Sequence, residues 1–242
     1  MIRIGCAGWA IAARQAGLFG DGASTLARYA TRFAVVEVNS TFHRAHRPGT
    51  FVRWAGAVPR TFRFSVKLPK TITHEARLVR TGPLLRAFAN EIAGLRSKLG
   101  GVLVQLPPSL EFDARVAGAF FRNLRTVFEV PIACEPRHGS WFGARADALW
   151  QRFDIARVAA DPPVPEGAGM PGEAGRWRYF RLHGSPRMYY SAYDDTRLEA
   201  FAQALVDSDR ARRPAWCIFD NTAHSHAVED AARLRDLLGA GR

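Results

Sequence analysis

The stretch Val130-Pro131-Ile132-Ala133-Cys134-Glu135-Pro136-Arg137-His138-Gly139-Ser140-Trp141 joins an apolar run to an acid, a guanidinium, an imidazole and a large aromatic ring. The apolar run predicts a buried strand over Val130–Arg137. The residues after it, Ala144–Phe153, repeat apolar positions at helical spacing. Charged side chains are seldom fully buried unless they are paired, so their concentration at a strand end indicates a functional site.

The same alternation of strand and helix runs along the whole chain. Eight apolar runs predict strands, at Ile2–Ala7, Val35–Ser40, Phe62–Leu68, Gly101–Pro107, Val130–Arg137, Ala156–Asp161, Trp177–Gly184 and Ala215–Asn221. Seven amphipathic segments predict helices, at Ser24–Phe33, Pro48–Val58, Pro83–Leu99, Ala114–Phe128, Ala144–Phe153, Asp194–Asp207 and Ser225–Leu238. The sixth connection, Pro162 to Arg176, is rich in Pro and Gly and predicts a loop.

Eight such units in 242 residues predict one α/β domain over residues 1–242, a TIM-type (β/α)8 barrel with parallel strands. An open doubly wound sheet is the alternative. The turn Gly5-Cys6-Ala7-Gly8-Trp9 lacks the glycine spacing of a dinucleotide-binding fingerprint.

Side-chain alternation gives several strands one apolar and one polar face. In the second strand Val36 and Val38 share one face, whereas Glu37 and Asn39 share the other. The apolar face must meet the helices, so the polar face points into the barrel, where enzymes of this fold place their sites at the C-terminal mouth. The residues expected there are Glu37, Asn39, Lys67, Gln105, Glu135, Arg137, Asp161, Arg181, His183 and either Asp220 or Asn221.

Composition narrows the class of protein and its partners. The net charge of +12 is consistent with an anionic partner such as nucleic acid or a phosphorylated metabolite, or with an Arg-rich composition alone. The three cysteines are scattered without CxxC spacing, which predicts buried free thiols. No stretch has the roughly 20 apolar residues of a membrane helix, and the first residues enter a strand pattern directly, so we expect a cytoplasmic protein. Nothing in the sequence indicates the oligomeric state.

Six motifs in order resemble the YecE-like family, also called domain of unknown function 72. They are Glu37-Val38-Asn39-Ser40-Thr41-Phe42, Phe64-Ser65-Val66-Lys67 with Thr73-His74, Gln105-Leu106-Pro107-Pro108, Glu135-Pro136-Arg137-His138-Gly139-Ser140-Trp141, Ala160-Asp161-Pro162-Pro163 and Arg181-Leu182-His183-Gly184. The resemblance runs from Gly5 to about Leu238 and implies a TIM-type barrel, but it implies no activity. This chain has His43 where the family usually has Tyr, and Asp220 where it tends to have Asn, so its substrate range is expected to differ.

The first functional hypothesis is an enzyme acting by acid/base chemistry on a phosphorylated, carboxylated or sugar-like substrate. Two carboxylates in different environments can have separated pKa values, which allows acid and base steps in one site. Arginine and lysine would hold the anionic group, and aromatic rings would stack on a sugar or base. The catalytic candidates are Glu135, His183, Asp161, Glu37 and His138. The substrate-binding candidates are Arg137, Lys67, Arg181, Asn39, Gln105, His74, Trp141, Tyr190 and Asn221.

Two alternatives remain open. A metal-dependent phosphoesterase or endonuclease-like hydrolase would use Glu37, Glu135, Asp161, His183 and Asp220 as ligands, although no HExxH motif is present and three basic side chains would crowd a cation. A non-catalytic nucleic-acid or metabolite-binding protein would use the positive charge. No cofactor is predicted and no metal ligand is assigned, but a divalent metal stays possible. The absence of GxSxG and P-loop motifs argues against serine hydrolase and P-loop chemistry.

Overall fold

The computed structural model describes residues 1–240 and contains one all-parallel sheet within them. Its strands are β1 (Ile2–Ala7), β2 (Val35–Val38), β3 (Arg63–Lys67), β4 (Leu99–Gln105), β5 (Ile132–Glu135), β6 (Ile155–Arg157), β7 (Ala159–Asp161), β8 (Arg178–Leu182) and β9 (Ala215–Phe219). Their spatial order is β6-β5-β4-β3-β2-β1-β9-β8-β7.

The strands at the two ends of this order, β6 and β7, follow each other directly in the chain, because only Val158 separates them. Residues up to Val158 pair with β5, and the Val158 amide donates to the Cys134 carbonyl at 2.8 Å. Residues after it pair with β8, where the His183 amide donates to the Asp161 carbonyl at 2.7 Å. The sheet therefore closes, and the predicted (β/α)8 barrel is confirmed, with its sixth strand divided in two.

Helices surround the barrel. They are α1 (Thr25–Arg32), α2 (Ser40–His43), α3 (Pro48–Gly56), α4 (Gly82–Ile92), α5 (Ala114–Val127), α6 (Ala144–Phe153), α7 (Asp195–Arg210) and α8 (His226–Ala240). Side chains cap several of them: Ser24 accepts from the Ala27 amide, and Asp113 accepts from the Arg115 and Val116 amides.

The predicted helix Pro83–Leu99 was too long. The α-helix ends at Ile92, a 3-10 segment follows over Ala93–Lys98, and Arg96 there has φ of 49°. A Cβ on Gly94 would lie 2.8 Å from the Val52 amide nitrogen of α3, so the chain turns where only glycine allows this approach. Strand β4 consequently begins at Leu99 rather than Gly101.

Two apolar clusters divide the core. The larger fills the space between the sheet and the helices. The smaller fills the N-terminal part of the barrel interior, where the rings of Trp177 and Trp216 meet edge to face with centroids 5.1 Å apart. Gly100 and Gly101 make room for them, because a Cβ on either would lie 2.6 Å from an indole carbon. This packed floor separates the C-terminal part of the barrel interior from its N-terminal end.

The three cysteines are free and buried, as predicted, and burial raises the pKa of the Cys6 thiol to about 12. Among residues 1–240, no helix combines the length and apolar character needed to cross a membrane.

Candidate functional site

A buried network of charges centred on Arg181 of β8 lies above the packed floor. Its guanidinium binds Glu37 through two hydrogen bonds, from Nε at 3.1 Å and Nη2 at 2.7 Å. Nη1 donates to Glu135 at 2.5 Å, and Nη2 also donates to Asp220 at 2.8 Å. Tyr179, two residues before Arg181 on the same inner face, donates its hydroxyl to Glu37 at 2.7 Å. Strands β2, β5, β8 and the end of β9 thus converge on one guanidinium.

His183 links the acids on the upper side of this network. Its Nδ1 lies 3.1 Å from Asp220 Oδ2, and its Nε2 lies 3.1 Å from Glu135 Oε1. Since both ring nitrogens face carboxylate oxygens, the geometry suits the doubly protonated imidazolium. Burial is the largest single influence and lowers the pKa of His183, but the Glu135 charge and the hydrogen bonds with Asp220 and Glu135 together exceed it, and the pKa is raised above 6.5.

The acids of the network are held as anions. Burial alone would raise the pKa of Glu135, but Arg181, His183 and Arg137 bring it well below its usual value. Burial would likewise raise the pKa of Asp220, but Arg181 and His183 bring it below its usual value. Buried charges survive only when they are paired this closely. Both carboxylates are therefore ionised near neutral pH.

A second layer, closer to the mouth, is less deeply buried. Arg137 Nη2 pairs with Glu135 Oε1 at 2.5 Å and lies 3.3 Å from His183 Nε2. Among the described residues its Nη1 faces only the sulfur of Met188, at 4.0 Å, and its buried Nε has no hydrogen-bond partner. Asn39 and Gln105 lie half-buried in this layer, with Asn39 Nδ2 3.4 Å from Asp220 Oδ1. A ligand entering the mouth would meet these groups before the deeper network.

Lys67, at the end of β3, belongs to the same layer. Its Nζ lies 4.1 Å from the centroid of the Phe42 ring. Burial and then Arg181 lower the pKa of Lys67 to about 8, although Glu37, Asp220 and Glu135 act in the opposite direction. His74 packs edge-on against the same ring, at 4.9 Å between centroids, and burial with Lys67 and Arg137 lowers its pKa.

Two predicted site residues face the wrong side of their strands. Asp161 lies on the outer face of β7 and pairs with Arg197 of α7, while Ala160 takes the inward position. Asn221 donates to Asp230 of α8 at 2.7 Å and to the Ser191 carbonyl, so of the two alternatives Asp220 is the one that enters the barrel.

Three other predicted residues lie outside the network. Trp141 is 1% exposed, donates from Nε1 to the Leu110 carbonyl at 2.8 Å and stacks on Trp150, which does not support stacking on a ligand. Tyr190 is exposed beside Arg187, whose guanidinium lies 4.1 Å from its ring centroid. His138 bonds Ser140 and caps a 3-10 turn that starts at Gly139.

Arg181 lies among the side chains that were predicted as metal ligands and pairs with three of them. Its guanidinium occupies oxygens of Glu37, Glu135 and Asp220, the side chains that a cation would need. No group of three or more His, Cys, Asp or Glu residues between positions 1 and 240 is arranged to hold a metal ion. The donor set therefore fits a guanidinium better than a divalent metal.

A cavity of about 420 Å³ adjoins the mouth on the side of β1 and β2. Its lining is largely apolar and includes Trp9 and Asn39, together with Thr222 and Ser225 after β9. Asn39 Oδ1 is buried without a partner. Trp9 and Tyr179 were not among the predicted site residues, although Tyr179 lies two residues before Arg181 and so shares its face of the strand.

Comparisons with known proteins agree with the fold. A family model described as "Protein of unknown function DUF72" matches residues 3–242. The UPF0759 protein YecE of Escherichia coli (strain K12) is 31% identical over 122 residues, which cover 50% of this chain and only 44% of YecE. The UPF0759 protein YunF of Bacillus subtilis (strain 168) is 22% identical over 244 residues, with 88% of this chain and 86% of YunF covered.

Two solved structures share the architecture. A DUF72 family protein from Thermotoga maritima MSB8 superposes with a TM-score of 0.81 at 21% identity, covering 99% of both chains. A DUF72 family protein from Enterococcus faecalis V583 superposes with a TM-score of 0.80 at 22% identity, covering 99% of this chain and 96% of the other. At these identities the likeness concerns the fold alone.

Proposed function

The chain belongs to the DUF72 family, and from the geometry of the barrel mouth we propose that it is an enzyme performing acid/base chemistry on a small phosphorylated, carboxylated or sugar-like substrate. The observation that carries this proposal is a pair of cations at the mouth, Arg137 and Lys67, with N–H donors that no oxygen of residues 1–240 accepts. Arg137 Nη1 faces only a sulfur, its Nε has no partner, and no carboxylate oxygen of residues 1–240 lies within 4.0 Å of Lys67 Nζ. A phosphate or carboxylate would supply the missing acceptors.

The charge balance supports an anionic ligand. Glu37, Glu135 and Asp220 contribute three negative charges, and Arg181, Arg137 and Lys67 contribute three positive ones. Protonated His183 adds one more positive charge, so the network carries an excess of one. Charge in a low-dielectric interior is costly unless it is paired, which favours a bound anion.

The proton-transfer groups in this proposal are Lys67 and His74. The pKa of Lys67 is lowered to about 8, and that of His74 is lowered from 6.5, so the imidazole is largely neutral at pH 7. His74 is half-buried and Lys67 is 8% exposed, so both are more exposed than Glu135 and His183. Glu135 and His183 are 1% and 0% exposed, so we assign them to positioning Arg137 rather than to proton exchange with substrate. This differs from the expectation that Glu135 is the general acid or base.

The test is ligand-induced thermal stabilisation with glycerol phosphate, ribose phosphate and citrate at low ionic strength. A ligand at 100 times its Kd stabilises by about 2.7 kcal/mol. Arg137→Met should abolish the shift, whereas Arg187→Met, which removes an exposed arginine beside Tyr190, should retain it. Equal responses of wild type and both variants would contradict binding at the mouth.

Nucleic-acid binding rests only on the net charge of +12 and becomes an outcome of the same experiment. Stabilisation by short oligonucleotides alone, retained in Arg137→Met and lost in salt, would place the function on the basic surface. A cytoplasmic location remains our expectation from the sequence.

A further inference from the structure

Lys67 is in a different environment from the other two lysines of the chain. Only three of the 34 basic Lys and Arg residues are lysine. Lys70 is exposed and pairs with Glu75 at 3.4 Å. Lys98 donates to the carbonyls of Ala55 and Val58 at 2.5 and 2.6 Å. Lys67 Nζ has no oxygen acceptor among the described residues and rests on the Phe42 ring.

These surroundings raise the fraction of Lys67 that is a neutral amine, although the protonated form still predominates at pH 7. Lys67 is 8% exposed, Arg181 is near enough to lower its pKa, and no carboxylate oxygen of residues 1–240 lies within 4.0 Å of its Nζ. Arg137, like Lys67, is near enough to His74 to lower the pKa of that imidazole. With its pKa lowered to about 8, roughly one tenth of Lys67 is unprotonated at pH 7, against about one in 3,000 for an ordinary lysine. An arginine could not provide this lone pair, because its guanidinium stays protonated.

We propose that Lys67 is a nucleophile that forms an imine with an aldehyde or ketone bearing a phosphate or carboxylate group. This inference rests on the proposed function, since Arg137 would hold the anionic group while the carbonyl carbon meets Lys67 Nζ. It names the substrate class as an anionic carbonyl compound.

His74 is placed to handle the protons of this step. It contacts the same Phe42 ring as Lys67, and Thr73 Oγ1 lies 2.8 Å from its Nδ1, which leaves Nε2 for exchange. The Lys67 lone pair forms the C–N bond as the carbonyl π bond breaks, and a proton passes from nitrogen to oxygen to give a carbinolamine. A proton taken from solvent and passed on by His74 then protonates that hydroxyl, which leaves as water and gives the iminium. No oxidant or reductant is consumed.

The experiment is reductive trapping with sodium cyanoborohydride, which converts an imine into a stable secondary amine. The full-length protein is incubated near pH 7 with glycolaldehyde phosphate, with glyoxylate, and with uncharged glycolaldehyde as the matched probe. Peptide mapping then measures the adduct at Lys67, Lys70 and Lys98. We expect labelling of Lys67 by the anionic probes at least about tenfold above Lys70, in line with its larger unprotonated fraction.

Variants separate the roles. Lys67→Arg should remove the adduct while keeping the positive charge, and Lys70→Arg should leave the Lys67 adduct unchanged. His74→Phe should slow trapping while preserving ring packing. Equal labelling of Lys67 and Lys70, or no adduct at Lys67, would overturn the inference.

The trapping experiment and the thermal-shift experiment can fail independently of each other. An Arg137-dependent thermal shift with glycerol phosphate but no adduct at Lys67 would leave anion binding intact and reject the nucleophile. An adduct formed equally with glycolaldehyde and its phosphate, and unaffected by Arg137→Met, would retain a reactive amine and reject an anionic carbonyl substrate.

Discussion

Arg181 and Glu37 meet side by side in the barrel interior, joined by two hydrogen bonds although 144 residues separate them in the chain. Both side chains are 0% exposed. The pair is therefore shielded from the solvent screening that weakens surface ion pairs.

Glu37→Gln should strongly destabilise the protein. Removing one partner of a buried pair leaves a charge without compensation, at a cost of about 3–5 kcal/mol. The control is Asp236→Asn, which disrupts an exposed pair with Arg32 and should cost about 1 kcal/mol or less. Urea unfolding at pH 7 measures both. Similar losses in the two variants would mean that the interior pair is as weakly coupled as the surface one.

Stability should fall as the pH rises through the neutral range. The folded pKa of His183 is raised above 6.5, so its stabilisation is complete below about 6.5 and is lost as pH passes its folded pKa. Each unit of pKa difference corresponds to about 1.4 kcal/mol. His183→Gln should flatten this part of the curve. Because the pKa of Lys67 is lowered, its contribution to stability increases with pH above about pH 8. The wild type and His183→Gln are therefore compared below that pH.

The acids of the network predict how stability changes at acidic pH. The folded pKa values of Glu135 and Asp220 are depressed below 4.5 and 3.8, so their contribution is present above those values and lost as pH falls through the folded ones. Acid unfolding monitored by circular dichroism should therefore begin below about pH 4. An acid transition at the same pH in Glu135→Gln would show that this carboxylate contributes nothing.

Trp141→Phe should reduce stability without changing ligand binding. The variant loses the hydrogen bond from Nε1 to the Leu110 carbonyl and part of the packing against Trp150, a cost of about 1–3 kcal/mol. Titration with glycerol phosphate should give the wild-type Kd. A tenfold or greater weakening would restore the earlier expectation that this ring contacts a ligand.

Gly101→Ala should destabilise the floor of the barrel by about 1–3 kcal/mol, because its new methyl group would lie 2.6 Å from a carbon of Trp177. Gly118→Ala, in the middle of α5 with open space around it, is the matched control. It should instead stabilise by up to about 1 kcal/mol. Thermal unfolding of the two variants compares the effects directly.

The sequence predicts the barrel well because strands with one polar and one apolar face show which way they point. Strand β2 is such a case, and Glu37 lies where alternation placed it. In the sixth strand the apolar face, which carries Val158 and Ala160, points into the barrel, and Asp161 on the other face pairs with Arg197, so the rule that the polar face points inward fails there. The division of this strand at Val158 is not visible in the sequence. Strand β9 is apolar on both faces, which is why Asp220 and Asn221 could not be separated. The burial of Trp141 depends on Trp150 and Leu110, contacts that only the folded chain brings together.

The closing of the barrel at Val158 also bears on the order in which the chain is made. Strand β1 has no partner on one side until β9 exists, and β7 has none until β8 exists, so a growing chain holds an open sheet through most of its synthesis. Glu37 and Glu135 emerge 144 and 46 residues before Arg181, which neutralises them both. A chain that stops before Arg181 would leave Glu37 without the guanidinium that binds it and Glu135 with Arg137 as its remaining arginine partner. The late arginine therefore couples closure of the barrel to the arrival of β8, and we expect chains that stop before it to stay open and to be cleaved by proteases.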